Sequence, residues 1–131
     1  MKKILIIEDD KKITKSLSIR LKSSGFVVAM AEDAMMGVRA AVQDKPDLIL
    51  LDIGMPGGGG FSVMQRVQMN PTAAMIPVIL ITASKRPEYR KQAEELGAVA
   101  FFEKPFDSDQ LLNAIRETLV LGEPTAGSIA S

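Results

Sequence analysis

Five short apolar runs, spaced along the whole chain, constrain its fold more than any other feature of the sequence. Each run is nearly continuous rather than alternating with polar residues. Strands of a parallel sheet have this pattern, because helices cover both faces of the sheet and the side chains on both faces must be apolar. The predicted strands are Ile4–Ile7, Phe26–Met30 (the weakest of the five), Leu48–Leu51, Val78–Ile81 and Val99–Phe102.

Between and after these runs, apolar residues recur at the spacing of three and four that amphipathic helices have. Gly25 and Gly97 are predicted to end two of the helices, and Asp107 with Gln110 resembles a capping box before the last one. Strand and helix alternate five times, which predicts a doubly wound α/β sandwich with three layers. The predicted helical stripes are Ile13, Leu17 and Leu21; Ala34, Val38 and Ala41; Phe61, Met64 and Val67; Tyr89, Ala93 and Leu96; and Leu111, Ile115 and Leu119.

Composition limits the classes of function. The 131 residues suit one domain, and 16 basic residues balance 16 acidic ones, so direct binding of nucleic acid or of a membrane surface is not favoured. The absence of Cys and His excludes disulfides, thiol chemistry and histidine catalysis by this chain. Without a recognisable signal peptide or membrane span, the chain is expected to be cytoplasmic. Residues 122–131 carry little apolar mass and are predicted to form a flexible tail or the start of a linker.

Polar residues follow the predicted strands where the strands end. Ligands of open parallel sheets bind beyond the carboxyl ends of the strands, so these side chains are expected to meet at one edge. Clustered carboxylates need a cation, and few protein oxygens with room for water and phosphate favour Mg²⁺. The residues are Glu8, Asp9 and Asp10 after the first run, Asp52 after the third, Thr82 after the fourth and Lys104 shortly after the fifth.

These residue types together suit phosphoryl transfer. Asp52 beside a cation is a candidate nucleophile toward phosphorus, Lys104 can neutralise charge, and the Thr82 hydroxyl can donate to a phosphoryl oxygen. Each residue also has a structural explanation: helix caps for the acids from Glu8 to Asp10, a turn at Asp52, strand-end filler at Thr82 and a solvated charge at Lys104. Taken singly, each structural explanation is favoured. Their joint occurrence at strand ends favours a site.

Four consecutive glycines, Gly57–Gly60, raise the possibility of a phosphate-binding loop. No Lys follows them, as a Walker loop requires, and the spacing of a dinucleotide-binding loop cannot be laid over this stretch. We interpret the run as a flexible connection from Asp52 to a helix at Phe61.

The motifs "ILIIEDD", "PDLILLDIGMPGGGGF", "IPVILITA" and "FFEKPF" occur here in the order typical of another group of proteins. The chain resembles the receiver domain of two-component response regulators over about residues 2–121. The resemblance implies a flavodoxin-like (βα)5 fold with parallel strand order 2-1-3-4-5. It also implies that a partner histidine kinase or phosphotransfer protein phosphorylates the chain, which then acts on a downstream effector protein or output domain. Homodimers through the fourth and fifth helices are common in such a family.

Residue roles follow from the same resemblance. It implies that Asp52 is the phosphoacceptor, that Lys104 and Thr82 assist it, and that Thr82 and Phe101 form a conformational switch in which Phe101 swings inward. The implied ligands of Mg²⁺ are Asp9, Asp52 and the backbone carbonyl of Gly54, with Glu8 nearby. The Lys104–Pro105 bond is expected to be cis, as in many relatives.

Three departures from the family pattern stand out. Gly59 replaces an acidic residue after the acceptor, Phe101 lacks the hydroxyl of the common tyrosine, and Gly54 and Ser84 are small at positions that tune hydrolysis of the acyl phosphate. Two other functions therefore remain open. One is a receiver that acts as an adaptor independently of phosphorylation. The other is an enzyme or flavin carrier on the same fold, for which the sequence has no motif.

Overall fold

The computed structural model describes residues 1–54 and 59–121, and all five predicted strands and all five predicted helices form there. Predicted strand boundaries agree to within one residue at each end. The residues Met55–Gly58 and the predicted tail, 122–131, lie outside the described residues. The elements are β1 (Lys3–Ile7), α1 (Lys11–Ser23), β2 (Val27–Ala31), α2 (Ala34–Asp44), β3 (Leu48–Asp52), α3 (Gly59–Met69), β4 (Val78–Thr82), α4 (Pro87–Glu95), β5 (Ala100–Glu103) and α5 (Ser108–Leu121).

The five strands form one parallel sheet in the order β2-β1-β3-β4-β5, which confirms the doubly wound, flavodoxin-like prediction. The chain moves outward from β1 to the β2 edge and then returns to the other side of β1 with β3. Because strand order reverses between β1 and β3, the carboxyl ends of these two strands flank the crevice where ligands of such sheets bind.

Neighbouring residues on each central strand supply opposite faces of the sheet. Leu5 and Ile7 pack on the side that contains α2, α3 and α4, whereas Ile4 and Ile6 pack on the side that contains α1 and α5. All residues of β3 and β4 are buried. The continuous apolar runs are therefore required by burial on both faces, as the sequence indicated.

Acidic caps begin three of the helices. Side chains of Asp10 and Asp33 accept backbone N–H groups in the first turns of α1 and α2. Asp107 accepts the N–H groups of Asp109 and Gln110 at the start of α5, which is the half of the predicted capping box that Asp107 supplies. Among the described residues, no helix has both the length and the apolar character needed to cross a membrane.

Helix α3 begins earlier than the sequence predicted. It starts at Gly59 rather than Phe61, so the interpretation of the glycine run as a flexible connection is wrong for Gly59 and Gly60. The physical reason is close packing. The Gly60 N–H donates to the Ile53 carbonyl at 3.1 Å, and a Cβ at Gly60 would lie 2.3 Å from the Ile53 Cα. Only glycine lets the two backbone segments approach this closely.

We expect Gly60→Ala to lower the free energy of unfolding by about 2–3 kcal/mol, because the added methyl meets backbone atoms that cannot move aside independently. Gly37→Ala is the matched control within a helix. Its Cβ would lie 2.8 Å from side-chain atoms of Ile7, which can adjust, and alanine favours the helix. Urea denaturation of both variants measures the difference. Equal losses in the two variants would contradict this explanation of Gly60.

Candidate functional site

The predicted polar residues lie at the carboxyl ends of β1, β3, β4 and β5. Asp52 and Thr82 are the last residues of β3 and β4, Glu8 follows β1, and Lys104 follows β5. The Lys104 N–H donates to the Thr82 carbonyl at 2.7 Å, which continues the pairing of β5 with β4 to the position of the lysine. The Lys104–Pro105 peptide bond is cis, as expected from the resemblance.

One ammonium group connects two buried carboxylates. The Lys104 Nζ lies 2.7 Å from the Glu8 Oε1 and 3.3 Å from the Asp52 Oδ2. Glu8 is only 3% exposed and Asp52 only 7% exposed, so both groups are largely withdrawn from water. Burying a carboxylate is costly unless a cation or hydrogen-bond donors compensate for lost hydration. Lys104 supplies this compensation, and the Gly54 N–H adds a hydrogen bond to the Asp52 Oδ1 at 2.8 Å.

Glu8, Asp9 and Asp52 form an acidic cluster whose geometry suits a divalent cation. Each residue offers one carboxylate oxygen, and these three oxygens lie within 4.8 Å of one another. Asp9 is exposed, so the cluster opens to solvent on that side. Carboxylate oxygens that leave room for water are the ligands that Mg²⁺ prefers, and this donor set therefore fits the ion.

The three consecutive acids after β1 have different positions. The Glu8 side chain lies beneath the Lys104 ammonium, Asp9 faces solvent within the cluster, and Asp10 caps α1. The Asp10 Oδ1 accepts the N–H groups of Lys12 at 2.9 Å and Ile13 at 3.3 Å. The helix-cap explanation is thus correct for Asp10, while Glu8 and Asp9 belong to the acidic cluster.

Thr82 and Phe101 are both buried. The Thr82 Oγ1 accepts the Ser84 N–H at 3.0 Å. Phe101 belongs to the core on the α4 side of the sheet, whereas Phe102 packs toward the opposite side. The Phe101 ring already points inward, so the expected inward swing is not available to it from this conformation.

Sequence reasoning missed a set of contacts that connect α4 to this region. The Phe61 and Tyr89 rings meet edge to face, with centroids 5.6 Å apart. The Arg90 guanidinium lies 5.0 Å from the Phe101 ring centroid and 3.4 Å from the Glu103 Oε1. Phe61 and Tyr89 were visible in the sequence only as members of apolar stripes, and Arg90 only as a charged residue of a helix. No local pattern indicated that they contact one another's neighbours across the fold.

The environment of the cluster changes two pKa values. Burial raises the pKa of the Glu8 carboxyl from 4.5 to about 7, and a hydrogen bond and like charge from Asp52 act in the same direction against the Lys104 ammonium. Burial lowers the pKa of the Lys104 ammonium, but its hydrogen bond to Glu8 and the charges of Asp52 and Glu8 outweigh burial and raise it overall. The site therefore retains a proton or a cation in preference to bare carboxylates.

We expect the metal-free protein to lose stability as pH rises from about 4.5 to 7. The folded state binds a proton at Glu8 more tightly than the unfolded state does, so deprotonation favours unfolding in that window. The loss should be on the order of 2 kcal/mol. Urea denaturation in a chelator, compared with Glu8→Gln, measures it. A parallel pH profile in Glu8→Gln would assign the loss to another group.

Comparisons with known proteins agree with this fold and site. The chain is 40% identical over 119 residues to the DNA-binding dual master transcriptional regulator RpaA of Synechocystis sp., covering 91% of this chain and 49% of that protein. It is 37% identical over 114 residues to the response regulator PleD of Caulobacter vibrioides, of which it covers 25%. It therefore spans half or less of these two relatives. Protein PilH of Pseudomonas aeruginosa is 34% identical over 119 residues, and there the match covers 98% of the relative.

Solved structures give the same result. A response regulator receiver domain protein (CheY-like) from Methanospirillum hungatei has a TM-score of 0.83 and 28% identity, with 91% of this chain and 94% of that one covered. The signal receiver domain of a DNA-binding response regulator from Colwellia psychrerythraea has a TM-score of 0.84 and 30% identity, with 91% and 98% covered. The family model described as the response regulator receiver domain matches residues 4–116. The chain belongs to the receiver domain family of response regulators.

Proposed function

We propose that this chain is a phosphorylation-dependent signalling receiver whose phosphoacceptor is Asp52. The observation that supports this most directly is the single Lys104 ammonium shared between Asp52 and Glu8, with Asp9 beside them. Compensating two buried carboxylates with one cation beside an exposed acid gives a strongly polar site at a sheet edge. Such a site suits a transferring group that carries negative charge and three acceptor oxygens.

The proposed donor is a phosphohistidine of a partner histidine kinase or phosphotransfer protein. An oxygen of the Asp52 carboxylate attacks phosphorus, the new P–O bond forms, and the electron pair of the breaking P–N bond goes to the imidazole nitrogen of the donor. Lys104 neutralises charge on the phosphoryl oxygens, which lowers the barrier for an anionic nucleophile.

We assign the Mg²⁺ ligands to Asp9, Asp52 and the backbone carbonyl of Gly54, with Glu8 nearby. The supporting observation is the close approach of the Glu8, Asp9 and Asp52 oxygens. A bound Mg²⁺ supplies charge neutralisation between carboxylates and phosphoryl oxygens. Asp9 contributes an exposed carboxylate, while the Gly54 N–H holds the Asp52 carboxylate in a fixed orientation at 2.8 Å.

Phosphorylation replaces one carboxylate charge with about two negative charges and adds acceptor oxygens. Thr82 then exchanges its hydrogen bond with the Ser84 N–H for one that it donates to a phosphoryl oxygen. Lys104 is drawn from Glu8 toward the same group. These changes alter the populations of two conformations, and Phe101 with the surface of α4, β5 and α5 transmits the difference to a partner.

The proposed receiver domain comprises residues 2–121, and 122–131 form a tail or the start of a linker. We place the protein in the cytoplasm, where its kinase and a downstream effector protein or output domain reach it. RpaA, a relative at 40% identity, is described as DNA-binding. In this chain, balanced charge supports an output that lies elsewhere rather than direct contact with nucleic acid. Its chemistry is confined to its own phosphorylation and dephosphorylation.

We expect acetyl phosphate with Mg²⁺ to add one phosphoryl group to the wild-type chain and none to Asp52→Asn, as measured by intact mass. Asp10→Asn is the matched control. Asp10 is also an acid beside the cluster, but it caps α1, and asparagine is an equally good cap. Asp10→Asn should therefore be phosphorylated like the wild type.

Beryllofluoride binding separates a nonfunctional site from rapid loss of the phosphoryl group. Binding without a mass adduct would indicate fast hydrolysis at an intact site. An adduct on Asp52→Asn would contradict the assignment of the phosphoacceptor. If neither an adduct nor beryllofluoride binding were found, the adaptor that acts independently of phosphorylation would replace this proposal.

We expect Lys104→Met to bind Mg²⁺ about tenfold more tightly than the wild type, because the variant removes a positive charge that competes for the same carboxylates. Asp9→Asn should bind Mg²⁺ more weakly. Isothermal titration calorimetry measures both changes, and Lys91→Met, an exposed lysine of α4, is the control for loss of charge elsewhere. Unchanged Mg²⁺ affinity in Lys104→Met would place the ion outside the cluster.

A further inference from the structure

A groove lies beside α1, along the edge of the sheet formed by β2. It has a volume of about 600 Å³, and one end of it reaches Glu8. One face of α1 forms its wall from Lys11 to Lys22, which corresponds to about three helical turns, or roughly 16 Å. Met30 of β2 and Met36 at the start of α2 form the opposite side. We call this feature the α1 groove.

The α1 groove exposes apolar side chains that the core does not use. Ile19 is 60% exposed, Met30 50% and Met36 48%. They are uncovered because β2 is an edge strand with no neighbour on that side. Exposed apolar groups rimmed by polar ones typically mark an interaction site, and methionine side chains adapt well to a partner's surface.

Lysines form the rim of the α1 groove. Helix α1 has five basic residues and no acidic one, although the chain as a whole is neutral. Lys11 lies 4.0 Å from Glu32, whereas Lys15 and Lys22 have no acidic group within that distance among the described residues. The basic residues in the first turn also oppose the helix dipole, so they do not stabilise α1 itself. This accumulation of charge is better explained by a partner than by the fold.

We propose that the α1 groove binds a helix of a partner protein whose apolar ridge is flanked by acidic residues. The apolar floor accepts a ridge with side chains at every third or fourth position, and the lysine rim pairs with carboxylates on either side of that ridge. The concave shape favours an inserted helix over a flat lipid surface, and the apolar floor disfavours nucleic acid. The proposal does not depend on the phosphoacceptor role of Asp52.

Two synthetic peptides of about 18 residues test this, a length at which isolated helices form. Both carry the same leucine ridge, flanked by Glu in one and by Lys in the other. Titrated into the ¹⁵N-labelled full chain, the Glu peptide should shift amide signals of α1, β2 and α2. It should bind at least about tenfold more tightly than the Lys peptide and weaken with added salt.

Charge-reversal variants locate the interaction. Lys15→Glu combined with Lys22→Glu should lose about tenfold or more in affinity for the Glu peptide. Lys85→Glu combined with Lys91→Glu makes the same charge change on exposed residues near and within α4 and should keep the affinity. Ile19→Ser should weaken binding by removing apolar floor area. The same titration of Asp52→Asn should match the wild type, which separates this proposal from the phosphoacceptor assignment.

Three results would overturn the proposal. The first is equal affinity for the two peptides, and the second is amide shifts that map away from α1, β2 and α2. The third is binding to phosphatidylserine vesicles, lost in the Lys15 and Lys22 double variant, without binding of the Glu peptide. That result would make the α1 groove a membrane contact.

Discussion

Glu8 and Asp52 can be buried at one edge of the sheet because the Lys104 ammonium lies between them, 2.7 Å from one carboxylate and 3.3 Å from the other. Without this cation, two carboxylates withdrawn from water would repel each other and destabilise the fold. The same arrangement leaves the site responsive, since a proton, a divalent ion or a phosphoryl group each changes the balance of charge. The parallel sheet makes the arrangement possible by directing the ends of β1, β3 and β5 to the same edge.

Elements at the margins of this sheet are held less by apolar burial than its centre. Helix α4 buries only Ala93 fully and is otherwise positioned by polar and aromatic contacts, including Tyr89 with Phe61 and Arg90 with Phe101. Phe61 lies in the first turn of α3, the helix that follows the Asp52 loop, so α4 contacts both sides of the site. A small change at the site can therefore move α4 without disturbing the central strands. The α1 groove is the corresponding feature of the opposite edge, beside β2.

Much of this could be predicted because it depends on local order along the chain. The apolar runs identified the strands, since a strand buried on both faces needs apolar residues at consecutive positions. The position of Asp52 at the end of one run and of Thr82 at the end of another placed them at the same edge. The Asp107 cap was also legible, because its partners are its own neighbours in the sequence.

Tertiary structure decided the features that depend on residues far apart in the sequence. Lys104 and Glu8 are separated by 96 positions, and no local pattern indicates which carboxylate an ammonium pairs with. Packing of Gly60 against Ile53 moved the start of α3, and the sheet edge left Met30 uncovered. The three acids after β1 look alike in sequence, yet Glu8 is buried while Asp10 caps a helix. Sequence determined which residue types reach the site because periodicity is a local property, whereas folding determined their partners because electrostatic and steric contacts act through space.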